Sequence, residues 1–275
     1  MRVSFCGMLY LVVGVVTMAG GSTTLSASIS SPSHVMTPRI RCDRCKRPLG
    51  ASCICSALPP APVALSTRVL ILQHPREARK AIATVPLIPL CLRDVEVVRA
   101  RVPWCRGQEP LPQPEELSFL EQSVHDGYEP LLLFPAPEAV VLDTVDVSNS
   151  RPLQGGEGGG KVLLVLIDGT WSQAQNLMRN SPGLAAACTL VMFDGEQHAI
   201  IGELRREPQQ HCMSTLEACA RALRIVEPTA EAEAAACYME CALQAMVDGQ
   251  LRHRTESRMV HDAVTDEGNV QWSTA

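Results

Sequence analysis

Six apolar positions stand in unbroken succession at Val162-Leu163-Leu164-Val165-Leu166-Ile167, with Lys161 before them and Asp168 directly after. A strand wet on one side would alternate; a run without alternation fits a parallel strand covered on both faces. Shorter apolar runs punctuate the chain at Arg68–Gln73 and at residues 95–101, 131–134 and 188–193. Between them the spacing turns helical. Helices are predicted over 76–84, over 115–124 behind Pro114, and over Trp171–Asn180 with Ser181-Pro182-Gly183 as its stop. Two more follow at 214–227 and about 230–248, the last ending before Gly249. Strands alternating with helices predict an α/β layer fold with a mostly parallel sheet and flanking helices.

Outside this alternation the pattern changes. Residues 3–35 carry no formal charge, and 8–20 are nearly all apolar. That run is short for a membrane span and fits the hydrophobic region of a signal peptide behind Arg2. Residues 1–38 therefore read as a targeting segment or a disordered extension. A cysteine cluster occupies 39–58, a Pro-rich connector ends near Pro62, and the main domain spans 64–253 with a Gly-rich insertion at 149–160. Residues 254–275 read as a tail.

Composition adjusts this picture in two places. The 275 residues are 46% hydrophobic, enough for one sizeable domain. A net charge of −5 runs against a general nucleic-acid binder, so any RNA-facing surface must be a local basic patch. Of the 12 cysteines, several sit in apolar strands or Ala-rich helices, as small buried hydrophobes of a reduced protein do. They point to an intracellular compartment, cytoplasm or nucleus, while the apolar amino terminus leaves an organelle open.

Three kinds of position could carry chemistry. Cys42-x-x-Cys45 followed by Cys53-x-Cys55 suits a structural zinc ion, since four thiolates complete a tetrahedron and leave no open position. Two disulfides are the alternative for a secreted chain. Next, Asp168-Gly169-Thr170-Trp171 sits at the carboxyl end of the buried strand, where α/β sheets bind ligands. There Thr170 can cap the following helix. Last come two polar turns. Ser214-Thr215-Leu216-Glu217 has the form of a capping box, and its free N–H groups suit an anion. His74-Pro75 with Arg76, Arg79 and Lys80 follows another strand, and Arg205-Arg206 adds cations upstream of the capping box. Capping and solvation alone would account for each turn singly; their shared position after apolar strands suggests one cleft.

Taken in order, these segments resemble the DTW-domain family of tRNA-uridine aminocarboxypropyltransferases, and its eukaryotic type 2 form most. The resemblance rests on the cysteine cluster, Gln73-His74-Pro75-x-Glu77, Leu133-Phe134-Pro135, Leu166 to Ala174 around the tetrad, and Arg206-x-Pro208 leading to Ser214-Thr215-Leu216-Glu217. It implies a SPOUT-like α/β domain, of a class in which the cofactor site can be knotted, preceded by a zinc-binding module. It also implies transfer of the 3-amino-3-carboxypropyl group from S-adenosylmethionine to N3 of a tRNA uridine, in the D-loop for type 2 relatives, releasing methylthioadenosine.

On that reading Asp168 is the catalytic candidate, as base, orienter or ligand of the donor. Thr170, Trp171, Ser214, Thr215, Leu216 and Glu217 would face S-adenosylmethionine. His74, Arg76, Arg205 and Arg206 would contact tRNA, and Cys42, Cys45, Cys53 and Cys55 would hold zinc. The alternatives are a zinc-containing RNA-binding factor without transferase activity and an RNA methyltransferase of related fold.

Overall fold

The computed structural model describes residues 40–50, 52–80, 82–99, 118–145, 161–194, 200 and 213–267, with backbone alone for 256–267. The expectations for residues 1–38, for the Gly-rich insertion, and for Arg205 and Arg206 lie outside the described residues.

Six parallel strands form one sheet in the order β2-β1-β5-β3-β6-β4. They are β1 Arg68–Gln73, β2 Val95–Arg99, β3 Glu129–Leu133, β4 Val140–Val141, β5 Val162–Asp168 and β6 Thr189–Met192. Two residues give β4 no readable period, which is why sequence patterning passes over it. The helices are α1 Ile88–Cys91, α2 Ser118–His125, α3 Trp171–Asn180, α4 Pro182–Ala187, α5 Thr215–Val226 and α6 Ala230–Glu267.

The unbroken apolar run of β5 is explained by its position, between β1 and β3 with helices on both sides. Val162, Leu164 and Leu166 join Val69, Ile71 and Leu131 beneath α1, α5 and α6. Leu163 and Val165 join Leu70, Leu72 and Leu132 on the other face, with Leu120, Leu177 and Leu184 from α2, α3 and α4. The chain visits β2 on one side of β1 before returning to β3 beyond β5. Such a reversal opens a crevice at the carboxyl ends of the central strands.

Two helical expectations need correction. Residues 76–84 do not form a helix; Glu77–Arg79 make a single tight turn and Lys80 goes extended. The next turns, Val85–Leu87 and α1, contain Pro86 and Pro89, whose missing N–H groups keep each piece short. As expected, α3 ends at Asn180 ahead of Ser181-Pro182-Gly183, and Pro182 then opens α4. The last helix does not end at Gly249 but runs on to Glu267. A glycine inside a helix costs about 1 kcal/mol. Burial of Met246 and Val247, with Leu251 packed on the same core, outweighs it.

Arg224 of α5 pairs with Glu233 and Glu240 of α6, at 2.8 and 2.5 Å. Just past α5, Glu227 accepts the N–H groups of Ser66 and Thr67 at 3.0 and 2.8 Å, holding the entry to β1. Burial opposes ionisation of Glu227, but these hydrogen bonds win and hold it below its ordinary value of 4.5. A depressed folded-state value means stability that is complete above the unfolded value and drains away as pH falls through the folded one. Glu227→Gln is therefore expected to destabilise by about 1 kcal/mol near neutral pH. In thermal melts across pH, that deficit should shrink as pH falls below 4.5. A deficit that grows in acid would refute the linkage. Among the described residues, no helix is long and apolar enough to cross a membrane.

Candidate functional site

Asp168 ends β5 and is the point where three elements meet. Gln73, the last residue of β1, lies opposite Asp168 in the parallel register and donates its Nε2–H to Oδ2 at 2.9 Å. Thr215, the first residue of α5, donates its hydroxyl to Oδ1 at 2.7 Å. The backbone N–H of His74 donates to the Asp168 carbonyl at 2.8 Å. A carboxylate with a donor on each oxygen is fixed in direction and keeps further lone pairs for a ligand.

A capped helix starts on either side of it. Thr170 accepts from the Gln173 N–H, and the Gln173 side chain accepts from the Thr170 N–H at 2.7 Å. Gly169 keeps this turn uncrowded, because a Cβ there would stand 3.1 Å from the Gln173 Cβ and 3.2 Å from its Oε1 and would press on the capping side chain. Ser214 and Glu217 make the second box, with Ser214 N–H on Glu217 Oε2 at 2.7 Å and Glu217 N–H on Ser214 Oγ at 3.3 Å. The other Glu217 oxygen accepts the Ile200 N–H. Glu217 and Leu216 are both buried, the former in backbone bonds and the latter in the core.

Trp171 is not packed away beside the carboxylate. It is 52% exposed and stacks on Phe134, beyond the end of β3, with ring centres 5.3 Å apart and planes at 14°. One aromatic face is backed by protein, and half of the residue's surface stays open.

His74 leads the turn after β1. Its Nδ1 accepts the Arg76 N–H at 3.2 Å, so in the neutral ring Nε2 carries the proton. Burial lowers its affinity for a second proton; Glu77 and Asp168 work against that shift, while Arg76 and Lys80 add to it. Gln73 and Glu77 were not among the residues singled out for chemistry, although both stand in the Gln73-His74-Pro75-x-Glu77 segment. The available signal was a glutamine closing an otherwise apolar strand.

The cysteine loop lies against the main core. Cys42 N–H donates to the Arg47 carbonyl and Lys46 N–H to the Cys42 carbonyl, closing a tight turn with Lys46 in the left-handed region at φ 57°. All four thiol sulfurs lie within 4.8 Å of one another, with Cys42–Cys55 at 3.4 Å and Cys45–Cys53 at 3.8 Å. Four thiolates on one tetrahedral zinc stand about 3.8 Å apart. All four cysteines are free in this arrangement.

The backbone N–H groups of Cys45 and Arg44 hold Cys42 down at about 6, while burial and the neighbouring thiols push Cys55 up to about 12. A divalent cation supplies the charge that would let all four ionise together. The donor set fits zinc. Arg47 reaches Met246 of α6 at 2.6 Å, and Arg44 donates to the Pro59 carbonyl. Ile54 and Leu58 enter the same core as α5 and α6.

The DTW domain model matches residues 39–251, from the cysteine loop into α6. The chain belongs to the DTW-domain family. This DTW protein is 34% identical over 197 residues to tRNA-uridine aminocarboxypropyltransferase 2 of Drosophila melanogaster, covering 70% of this chain and 69% of that one. Its identity to the Mus musculus protein of the same name is 31% over 255 residues, 91% of this chain and 76% of the other. To tRNA-uridine aminocarboxypropyltransferase A of Arabidopsis thaliana it is 30% over 206 residues, covering 69% and 74%. No solved structure matches the chain.

Proposed function

We propose that this DTW protein transfers the 3-amino-3-carboxypropyl group of S-adenosylmethionine to N3 of a uridine in tRNA, in the D-loop, releasing methylthioadenosine. The observation that carries the reading is the Asp168 carboxylate, held between Gln73 and Thr215 at the carboxyl end of the central strand. It accompanies similarity to aminocarboxypropyltransferases along most of the chain. The sheet is read as SPOUT-like, and the domain as 64–253 with the cysteine loop, 39–58, as its zinc module.

The sulfonium of the bound donor activates the attached carbon and leaves as a neutral thioether. What remains for the protein is position and one proton. Asp168 accepts the N3 proton of uridine, its direction fixed by Gln73 and Thr215. Thr170, Ser214 and Thr215, at the starts of α3 and α5, face the donor, with Leu216 and Glu217 holding the α5 turn in shape. Trp171 offers its open face to the adenine ring. His74, Arg76, Arg205 and Arg206 are read as contacts for tRNA, because an acidic chain needs local cations to meet phosphate. Cys42, Cys45, Cys53 and Cys55 hold zinc structurally, which suits a reducing, intracellular compartment.

Incubation of the purified protein with tRNA and S-adenosylmethionine, followed by mass analysis of the nucleosides, tests this reading. The expected products are aminocarboxypropyl-uridine and methylthioadenosine. A methylated base with S-adenosylhomocysteine would make the protein a methyltransferase. Binding of tRNA without any product would make it an RNA-binding factor. A second expectation concerns Trp171→Ala. Losing one stacked ring removes about 1–3 kcal/mol, so the KM for the donor should rise about tenfold or more with kcat little changed. An unchanged donor KM would remove Trp171 from the donor site.

A further inference from the structure

Glu77 carries a carboxylate that the described residues leave half answered. Its N–H donates to the His74 carbonyl at 2.9 Å, which fixes it in the turn after β1. The residue is 9% exposed. Lys80 Nζ meets Oε2 at 2.7 Å, whereas Oε1 is shut off from solvent with no hydrogen-bond partner among the described residues. A buried acceptor without a donor bears its full desolvation cost, and charged groups bear more than neutral ones. Such an oxygen beside a ligand site points to a donor that comes from outside the chain.

Its place is the Asp168 end of the sheet. Gln73 and His74, four and three positions before it, are bonded to the Asp168 side chain and carbonyl. The Glu77 and Asp168 carboxylates both act on the His74 imidazole. Phosphate, carboxylate and carbonyl groups would repel Oε1, which excludes the tRNA phosphates, and the 2′-hydroxyls of RNA offer it only neutral donors. The sulfonium donor offers ribose hydroxyls, an adenine amine and an α-ammonium. Of these hydrogen-bond donors only the ammonium is charged, and charge-assisted bonds are about twice as strong as neutral ones. Lys80, half exposed on Oε2, is the neighbour with room to swing outward as a second cation enters.

We propose that Glu77 Oε1 receives the α-ammonium of the donor's aminocarboxypropyl arm and so directs that arm, rather than the methyl group, toward the acceptor base. This assignment rests on the reading that the donor is S-adenosylmethionine.

The test is calorimetry on the full-length, metal-loaded chain, wild type against Glu77→Gln, with two ligands. Methylthioadenosine keeps the adenosine and thioether of the donor but lacks the amino-acid arm. Glutamine keeps the shape of Glu77 without its charge. The Kd for S-adenosylmethionine should rise about tenfold or more in E77Q, while that for methylthioadenosine stays within about twofold. Equal affinity of both proteins for S-adenosylmethionine would overturn the assignment while leaving the donor reading intact. Parallel loss of methylthioadenosine binding would also overturn it, since Glu77 would then serve the adenosine half or the fold. A wild type that binds neither ligand would bring down the donor reading itself, and this assignment with it.

Discussion

Replacing Asp168 by asparagine is expected to reduce transfer at least about a hundredfold, the lower range for loss of a positioned acid–base group. The structure makes asparagine the informative change. Its oxygen can still accept from Gln73 Nε2, and its amide can donate to the Thr215 hydroxyl, whose own hydrogen rotates away. Shape and bonding survive; the proton acceptor is lost. Alanine would instead strand the Gln73 amide, which is 4% exposed, at a cost of about 1–3 kcal/mol. Single-turnover transfer, donor binding and a thermal melt of Asp168→Asn together decide the matter. Full transfer activity in a folded Asp168→Asn protein would exclude Asp168 as the base. Normal kcat with weakened donor binding would make it a donor ligand.

The other large effect is expected from the metal. Zinc held by Cys42, Cys45, Cys53 and Cys55 would be a cross-link seated on the core rather than on a separate appendage. Cys45, Ile54 and Leu58 are packed with residues of α5 and α6. Binding energy of a structural zinc is folding energy, and losing about 5 kcal/mol of it lowers Tm by about 10–20 °C at this domain size. Chelation, or Cys45→Ser, should therefore produce a drop of that order, with the zinc content read by elemental analysis. Equal melting of zinc-free and zinc-loaded protein would refute a structural metal. The two effects should also separate: Asp168→Asn removes chemistry from a stable protein, whereas zinc loss removes the protein that does it.

How much of this was legible depended on how local the cause was. The limits of β1 and α3 follow from neighbouring residues alone: an apolar run stopped by His74-Pro75, and a helix opened by Thr170 with Gln173. Both capping boxes are written within four consecutive residues. The Asp168 clamp is not local, because Gln73, Asp168 and Thr215 meet only once parallel pairing sets β1 beside β5. Glutamine at the end of a strand looks like a solvated edge until its register partner is known. Trp171 followed the same rule. Nothing beside it in the chain says that α3 turns its ring onto Phe134, thirty-seven positions earlier. Gly249 misled for the opposite reason: a local stop signal was overridden by packing of Met246, Val247 and Leu251.

The unequal burial of the two sheet faces bears on how ligands reach Asp168. The wall that supplies Thr215 belongs to α5, sandwiched between the central strands and α6 and clamped by Arg224. The wall that supplies Trp171 belongs to α3, which has two buried residues, Ala174 and Leu177, and lies over the smaller cluster. Local opening favours the element with less buried apolar surface. The cleft is thus a vice with one fixed jaw and one yielding jaw. Of the two walls, α3 has the less buried apolar surface to hold it, while Thr215 and Gln73 keep Asp168 aligned from the firmer side.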